Sequence, residues 1–357
     1  MHAIKSTISR YFPAFAFFAG FIWDALTIGQ GVSATDLVML SGYLFATVPI
    51  IWWLVKRAKL QAAQQHMDTH NVQISENENW KTRLPYLLLQ FLFGSLFSAL
   101  FILYFKSASH LMALIWCVGL AALLVGNEFL ENAYKRFTLT WTLFGFCAIL
   151  LLNFVLPYAI GSVHAIWFYI SVIVAVMFTC VLKQKISYQL GNLWPTYLVA
   201  AVLSSAYVLD VIPPVPLVKR DIQVGTQLEK VAGQYVLQQD KAPLWVFWRN
   251  TVNTVHINPG ESVYCLSAIY APRGLETRLY HRWQLYDAKK GWQTMSHIGF
   301  NVAGGRGNGF RGYTVKRNLA FGEWRVVVET ENARTITVYP FEIKRKNGDQ
   351  QKLPVAI

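Results

Sequence analysis

Apolar residues in this chain follow two rhythms. Up to Pro213 they form long, nearly unbroken runs, and beyond it they alternate with polar residues in short segments. A helix needs about 20 apolar residues to cross roughly 30 Å of hydrocarbon. Runs of that order lie near 12–29, 36–55, 84–105, 111–130, 138–160, 164–182 and 195–213, which predicts an all-α membrane bundle of about seven transmembrane helices. Pro13, Pro85 and Pro195 stand at or near the starts of spans, where a missing N–H costs little because the first-turn donors are unpaired anyway. The polar stretch 56–83 reads as a cytoplasmic loop, with 58–79 a linker that includes a short helix at most.

Beyond Pro213 the period is two. Leu279, His281, Trp283 and Leu285 fall on one face of a strand, and Tyr280, Arg282, Gln284 and Tyr286 on the other. Similar runs occur at 244–249, 263–270, 292–302, 310–316, 323–330 and 335–344, separated by turn signals such as Asn258-Pro259-Gly260, Lys289-Lys290-Gly291 and Glu331-Asn332-Ala333. Seven or eight short strands with no helical stretch between them predict an all-β antiparallel sandwich of immunoglobulin-like type. The Pro-rich connection 214–218 is extended and semi-rigid, so the chain divides into a helical domain, 1–213, and a β-domain, 219–357.

Composition sharpens this division. With 54% hydrophobic and 14% charged residues, the chain holds about half the charge of a soluble globular protein, which excludes a disordered chain and an ordinary cytosolic enzyme. A net charge of +13 beside a mean hydropathy of +0.32 suits a membrane protein and not a nucleic-acid binder. Basic residues stay on the cytoplasmic side of a membrane. With the N-terminus inside, the inner segments hold Lys5, Arg10, Lys56, Arg57, Lys59, Lys81, Arg83, Lys135, Arg136, Lys183 and Lys185, while the outer loops hold Lys106 alone. An odd number of spans then exports everything after Pro213, into the periplasm if the membrane is the inner membrane of a Gram-negative bacterium. The first run can also be read as a signal peptide cleaved near Val32-Ser33-Ala34, although Trp23-Asp24 interrupts its apolar core; six spans and the same final topology would remain. The exported part carries 20 basic and 11 acidic residues, a net +9.

Three of the four cysteines, Cys117, Cys147 and Cys180, lie in spans, and only Cys265 lies in the exported part, where no partner for a disulfide exists. Cys265 alternates with Val263 on a strand and reads as a small buried hydrophobe.

A succession of motifs marks the β-region: Ala271-Pro272-Arg273-Gly274-Leu275-Glu276, Tyr280-His281-Arg282-Trp283-Gln284, Gly291-Trp292, Gly304-Gly305-Arg306, Gly309-Phe310-Arg311-Gly312-Tyr313-Thr314, Gly322-Glu323-Trp324-Arg325-Val326 and Glu329-Thr330. Together they resemble the C-terminal module of a bacterial inner-membrane family known only as domain of unknown function 2914, over residues 213–343 or so. The resemblance implies a module placed after several membrane spans, and no reaction. One departure shows: a glycine-containing turn is expected after Glu329-Thr330, where this chain reads Ala333-Arg334-Thr335-Ile336.

Candidate chemistry falls in three places. Asp24, in the outer half of the first span, and Asp210, near the outer end of the seventh, could converge with His164, Asp36, Lys106 and His110 as a proton relay or polar substrate site, or could simply pair with neighbours and reach the interface. On the inner side Asn127, Glu128 and Glu131 precede Lys135 and Arg136 at helical intervals, as interfacial ion pairs. Within the β-domain, Gly304-Gly305-Arg306-Gly307-Asn308-Gly309-Phe310-Arg311-Gly312 lacks the following helix that a nucleotide-binding loop needs, but a glycine-rich hairpin with Arg306 and Arg311 can cradle an anion through the N–H groups of Gly305, Gly307 and Gly309. Tyr280, Arg282 and Tyr286 form an aromatic and cationic stripe able to stack on sugar rings or grip a peptide, while His281 and Trp283 point into the core. There is no nucleophile-elbow sequence and no metal-ligand spacing, so no catalytic set, metal or cofactor is indicated. Two functions follow. In the first, a non-enzymatic inner-membrane protein in contact with membrane lipid displays a cationic sandwich to an anionic cell-envelope polymer or a periplasmic protein, with no role for nucleic acid. In the second, the bundle transports or handles a lipid or glycan through the acidic outer cluster, and the sandwich is accessory.

Overall fold

The computed structural model describes residues 22, 24, 26, 28, 31–67, 80–127, 137–187, 190–231, 233–240, 253–346 and 352–356. Their helices are α1 (Ala34–Met67), α2 (Trp80–Ser107), α3 (Leu111–Asn127), α4 (Phe137–Ile160), α5 (Ala165–Ser187) and α6 (Trp194–Val208). Four segments are long and apolar enough to cross a membrane: Ala34–Gln61, Leu84–Ser107, Phe137–Ile160 and Ala165–Ser187. The shorter α3 and α6 span 17 and 15 residues. Most of the first apolar run lies outside the described residues; Ile22, Asp24 and Leu26 within it are helical. The set Asn127 to Arg136 also lies outside what the side chains show.

The chain forms two compact units, Met1–Phe105 with Ile115–Leu156 and Ile166–Ile212, and Lys106–Leu114 with Pro157–Ala165 and Pro213–Ile357. In the first, α1 opens on a capping box. The Ser33 hydroxyl accepts the Asp36 N–H at 3.1 Å and the Asp36 carboxylate accepts the Ser33 N–H at 3.1 Å, satisfying two first-turn donors. The helix then runs on through Met67, well into the polar stretch expected to be a loop, because Lys56 to Gln65 are mostly strong helix formers. Likewise α2 begins at Trp80, so Pro85 sits inside the helix and not at its start, whereas Pro195 does occupy the opening turn of α6. On α4, Phe154 meets Tyr104 of α2 edge-on at 4.9 Å, and Asn153 donates to the Tyr104 hydroxyl at 2.9 Å. Along α5, Ile166, Ile173, Met177 and Val181 are exposed while Phe168, Val172, Ala175 and Thr179 are buried. An apolar outer face of this kind fits a lipid solvent.

The second unit is built from β1 (Val218–Gly225), β2 (Gln227–Val231), β3 (Gln234–Asp240), β4 (Thr254–Ile257), β5 (Val263–Tyr270), β6 (Glu276–Asp287), β7 (Gly291–Ala303), β8 (Phe310–Lys316), β9 (Gly322–Thr330), β10 (Thr335–Arg345) and β11 (Lys352–Ala356). They form sheets of order β1-β5-β8, β4-β10-β9-β6-β7 and β11-β3-β2. Six of the predicted runs coincide with β5 to β10, and the predicted run 244–249 lies outside the described residues. All pairings are antiparallel except β4 with β10, which run parallel, Thr254 beside Glu342 and Ile257 beside Arg345. No hairpin joins these two strands, so nothing forces opposite directions on them.

The core lies between the first two sheets. Val224, Cys265 and Ile269 on one side meet Leu279, Trp283, Trp324, Val326, Val328 and Phe341 on the other, all buried. Cys265 is thus the buried hydrophobe its strand position predicts, and burial pushes its thiol pKa upward. Segments of the helical half join this unit. Val163 packs into the core, the Asn332 side-chain oxygen accepts the Ala165 N–H at 3.0 Å, the Gly161 carbonyl accepts the Glu276 N–H at 3.2 Å, and the Ser109 hydroxyl bonds the Ile336 carbonyl.

Candidate functional site

Inside the β-unit a polar chain crosses from one sheet to the other. The Ser267 hydroxyl lies 2.8 Å from His281 Nε2, His281 Nδ1 lies 2.9 Å from the Thr314 hydroxyl, and the Trp283 indole donates to that hydroxyl at 3.1 Å. Ser267 also donates to the Gly312 carbonyl at 3.4 Å. One proton arrangement satisfies every group: Trp283 N–H to Thr314, Thr314 O–H to Nδ1, Nε2–H to Ser267 and Ser267 O–H to Gly312. This arrangement requires a neutral imidazole, and burial holds the His281 pKa down at about 3. The spacing mimics a Ser–His hydrolytic pair, but Ser267 and His281 are both 0% exposed, so no substrate can reach them. The network fixes the register of β5, β6 and β8.

The opposite face of β6 is open to solvent and carries the predicted stripe. Arg282 pairs with Glu329 of β9 at 2.8 Å, and Glu329, itself buried, also holds His297 of β7 at 2.9 Å. The His297 ring stacks on Tyr280 at 4.4 Å and 12°, and the Arg278 guanidinium lies 5.5 Å from the Tyr280 ring. Gly299 makes room beneath them, since a Cβ there would come within 2.8 Å of both Arg278 and Tyr280. One row along, the Arg325 guanidinium carbon lies 4.3 Å from the centre of the Trp292 ring and the side chain donates to Gln284 at 2.7 Å, while Tyr286 packs against Trp292 at 5.2 Å. The Arg325 pKa is lowered, first by burial and then by the positive charge of Arg282. Arg282 Nε is buried and makes no hydrogen bond. The face therefore presents two guanidiniums that repel each other, framed by Tyr280, Tyr286 and Trp292, an arrangement chemically suited to an anionic group attached to a planar or ring-shaped ligand.

Sequence reasoning found Tyr280, Arg282 and Tyr286 on this face and missed Arg278, Trp292, His297, Arg325 and Glu329. Arg325 and Glu329 alternate with inward Trp324, Val326 and Val328, a signal that was available. His297 was not: β7 carries a bulge between Thr294 and Ser296, opposite Gln284 and Trp283, that flips its parity.

The glycine-rich segment proves to be a crossing between two sheets and not a hairpin, since β7 pairs with β6 and β8 with β5. The Gly304, Gly305 and Gly309 N–H groups go to the carbonyls of Leu275, Ala271 and Arg306 at 2.8, 3.0 and 2.9 Å. Gly305 and Gly309 have φ of 98° and 83°, and a Cβ on Gly304 would meet the Pro272 carbonyl at 1.8 Å. These glycines serve close packing, and Gly305 and Gly309 offer no free donor. Gly307 stands in open space. Arg306 lies over Phe310 at 5.3 Å, and Arg311 opposes Ala268 on β5.

The intramembrane candidates separate. Asp24 accepts from Ser98 at 2.6 Å and lines a cavity with Asp36, Tyr43 and Ser95. Asp210 and His164 are not among that cavity's lining residues. Asp210 lies beyond the end of α6, at φ 58°, with its N–H bonded to the Tyr207 carbonyl and Val211 N–H to Ala206. It forms the left-handed residue of a Schellman turn. His164 belongs to the β-unit, where its Nε2 is 3.3 Å from the Asn332 amide. Among the described residues no group of three His, Cys, Asp or Glu side chains could hold a metal.

Comparison with solved structures finds an immunoglobulin-like protein from Pseudomonas aeruginosa at 10% identity, covering 35% of this chain and 97% of that one, with a TM-score of 0.20. A β-glucosidase from Listeria innocua in complex with gluconolactone is similar at 12% identity over 31% of this chain and 16% of that one, TM-score 0.19. A DNA glycosylase from Pseudomonas fluorescens reaches a TM-score of 0.22 at 10% identity, over 87% of this chain and 98% of that one. A search of the curated proteins finds no match. Residues 276–343, which run from β6 into β10 and hold His281, Trp283 and Thr314 of the buried network, though not Ser267, together with the Arg282–Glu329–Arg325 face, match the model of a family described as a protein of unknown function, DUF2914.

Proposed function

We propose that the protein is a multi-pass inner-membrane protein whose β-unit, an immunoglobulin-like sandwich held in the periplasm, is a non-enzymatic binding module for an anionic cell-envelope polymer. The observation that carries the reading is the Arg282–Arg325 pair, two guanidiniums on one open sheet face with a single buried carboxylate, Glu329, set against Arg282. A bound carboxylate or phosphate relieves their repulsion, and Trp292, Tyr280 and Tyr286 offer flat apolar surfaces for rings beside it. The positive-inside distribution and the exposed apolar face of α5 support the membrane topology, including the seven spans. A periplasmic acidic protein is the other occupant this charge would suit.

The test is binding of oligo-uronates to the full chain in neutral-detergent micelles, with a neutral dextran of equal length as control. The uronate binds and the dextran does not, and Arg282→Gln with Arg325→Gln weakens uronate binding by about 100-fold, each charged hydrogen bond contributing roughly 1.5 kcal/mol. Equal affinity of the variant and the unaltered chain would sink the proposal.

The cavity shared by Asp24, Asp36, Tyr43 and Ser95 favours a second reading, in which the helical unit moves or modifies a polar or lipid-linked substrate. Complementation of a deletion phenotype by Asp24→Asn would argue against it.

A further inference from the structure

Helix α1 changes character within a single turn toward its C-terminal part. Between Asp36 and Lys56 it carries no charged residue. Rising about 1.5 Å per residue, the helix covers about 30 Å from one to the other, which is the thickness of the hydrocarbon layer of a bilayer. Lys56, Arg57 and Lys59 then follow within one turn. Ile51, Leu54 and Val55 on this stretch are buried among the other helices, so the face turned away from them carries Trp52 and Trp53, 51% and 41% exposed, together with exposed Lys56, Lys59 and Leu60.

Each of the two tryptophans holds a cation one turn further on. Lys56 Nζ lies 5.4 Å from the centre of the Trp52 ring, and the Arg57 guanidinium carbon lies 5.4 Å from that of Trp53. The spacing of four residues makes these pairs neighbours on the helix surface. Helical side chains lean toward the N-terminus, so the rings cover the apolar side of the charges and the cations stand on the polar side. Exposed indoles with cations just beyond them are the side chains that settle at the boundary between acyl chains and headgroups. Asp36 is the one acidic residue of α1, and among the described residues no ion pair reaches Lys56, Arg57 or Lys59. Three positive charges in one turn therefore draw their counter-charge from outside the protein, and at that depth the phosphates of lipid headgroups supply it. A soluble polyanion would meet the charges but leave both rings bare.

We infer that Trp52, Trp53, Lys56, Arg57 and Lys59 form a docking surface on α1 for anionic phospholipid, with the phosphate on the cations and the glycerol and upper acyl chain against the indole rings. Under the proposed topology this surface lies in the cytoplasmic leaflet. The inference rests on the proposed membrane spanning and is independent of the proposed polymer site. Each basic residue at an anionic surface contributes about fivefold in binding.

The experiment uses the full chain, first checked for retention in carbonate-washed membranes. In neutral-detergent micelles it is then titrated with phosphatidylglycerol, phosphatidylcholine or inorganic phosphate, and bound lipid is counted by native mass spectrometry. Phosphatidylglycerol is retained over phosphatidylcholine, and Lys56→Gln with Arg57→Gln lowers that retention about 25-fold. Lys56→Arg with Arg57→Lys keeps both charges and keeps the retention. On the unaltered chain, raised salt strips phosphatidylglycerol and not phosphatidylcholine. Release of the chain from carbonate-washed membranes would overturn the membrane spanning and this inference together. With the chain held in those membranes, three results would overturn this inference alone: equal retention of the two lipids, retention untouched by Lys56→Gln with Arg57→Gln, or full displacement by inorganic phosphate, which would make this a free-phosphate site.

Discussion

Acidification should weaken the β-unit through one residue, His281. Its imidazole is completely buried, it uses Nδ1 as an acceptor and Nε2–H as a donor, and its pKa falls from 6.5 to about 3. Because the folded value is the lower one, the unfolded chain takes up a proton first as pH falls. Stability is therefore fully present above about pH 6.5 and is lost progressively between there and about pH 3. At about pH 5 the loss from this group is (6.5 − 5) × 1.36, or about 2 kcal/mol, relative to neutral pH. Substituting His281→Gln removes the titration while keeping a donor toward Ser267. The variant is less stable at neutral pH, since Thr314 loses its partner, but its stability no longer carries this pH slope. Denaturant unfolding of the full chain in detergent, followed by tryptophan fluorescence at about pH 7.5 and about pH 5, gives the difference between the two chains, in which all other titrating groups cancel. Identical pH dependence of the two, or an imidazole NMR signal of His281 that titrates near its ordinary value, would refute the reasoning.

Four smaller perturbations test other parts of the structure. Gly312→Ala places a Cβ 2.2 Å from the Phe300 ring and should cost about 1–3 kcal/mol by denaturant unfolding. Ala333→Gly should raise the melting temperature of the β-unit by relieving about 1 kcal/mol, because Ala333 sits at φ 56°. Glu329→Gln removes the carboxylate that Arg282 and His297 share and should destabilise by about 3 kcal/mol, visible as faster hydrogen exchange in β6 and β9. Ser33→Ala deletes one half of the capping box and should fray the first turn of α1 by about 1 kcal/mol, read from exchange at residues 34–37.

Hydrophobic rhythm made β5 to β10 legible almost to the residue, since each has one clean apolar face and a turn signal at its ends. The strands it missed are of another kind. Charged Lys219, Arg220 and Asp221 break the alternation of β1, and β2 is exposed along most of its length. The candidate surface was half legible: Tyr280, Arg282 and Tyr286 share a strand and so a face, but their partners come from β7 and β9, and strand register is not written in local sequence. Ala333 is the reverse case. The missing glycine noted after Glu329-Thr330 falls where the backbone does turn left-handed, so the motif stated a conformational need that this chain meets with a strained residue.

Because Val163 is part of the β-unit's core and Asn332, Glu276 and Ile336 are bonded by residues of the helix connections, this module is not portable as a simple C-terminal cut. A fragment beginning at Pro213 would expose a hole where Val163 sits and surrender three hydrogen bonds to water. Any recombination that transplants the module onto another anchor has to bring the two connecting segments with it or rebuild that rim. Inheritance of anchor and module as a single piece is the expected consequence.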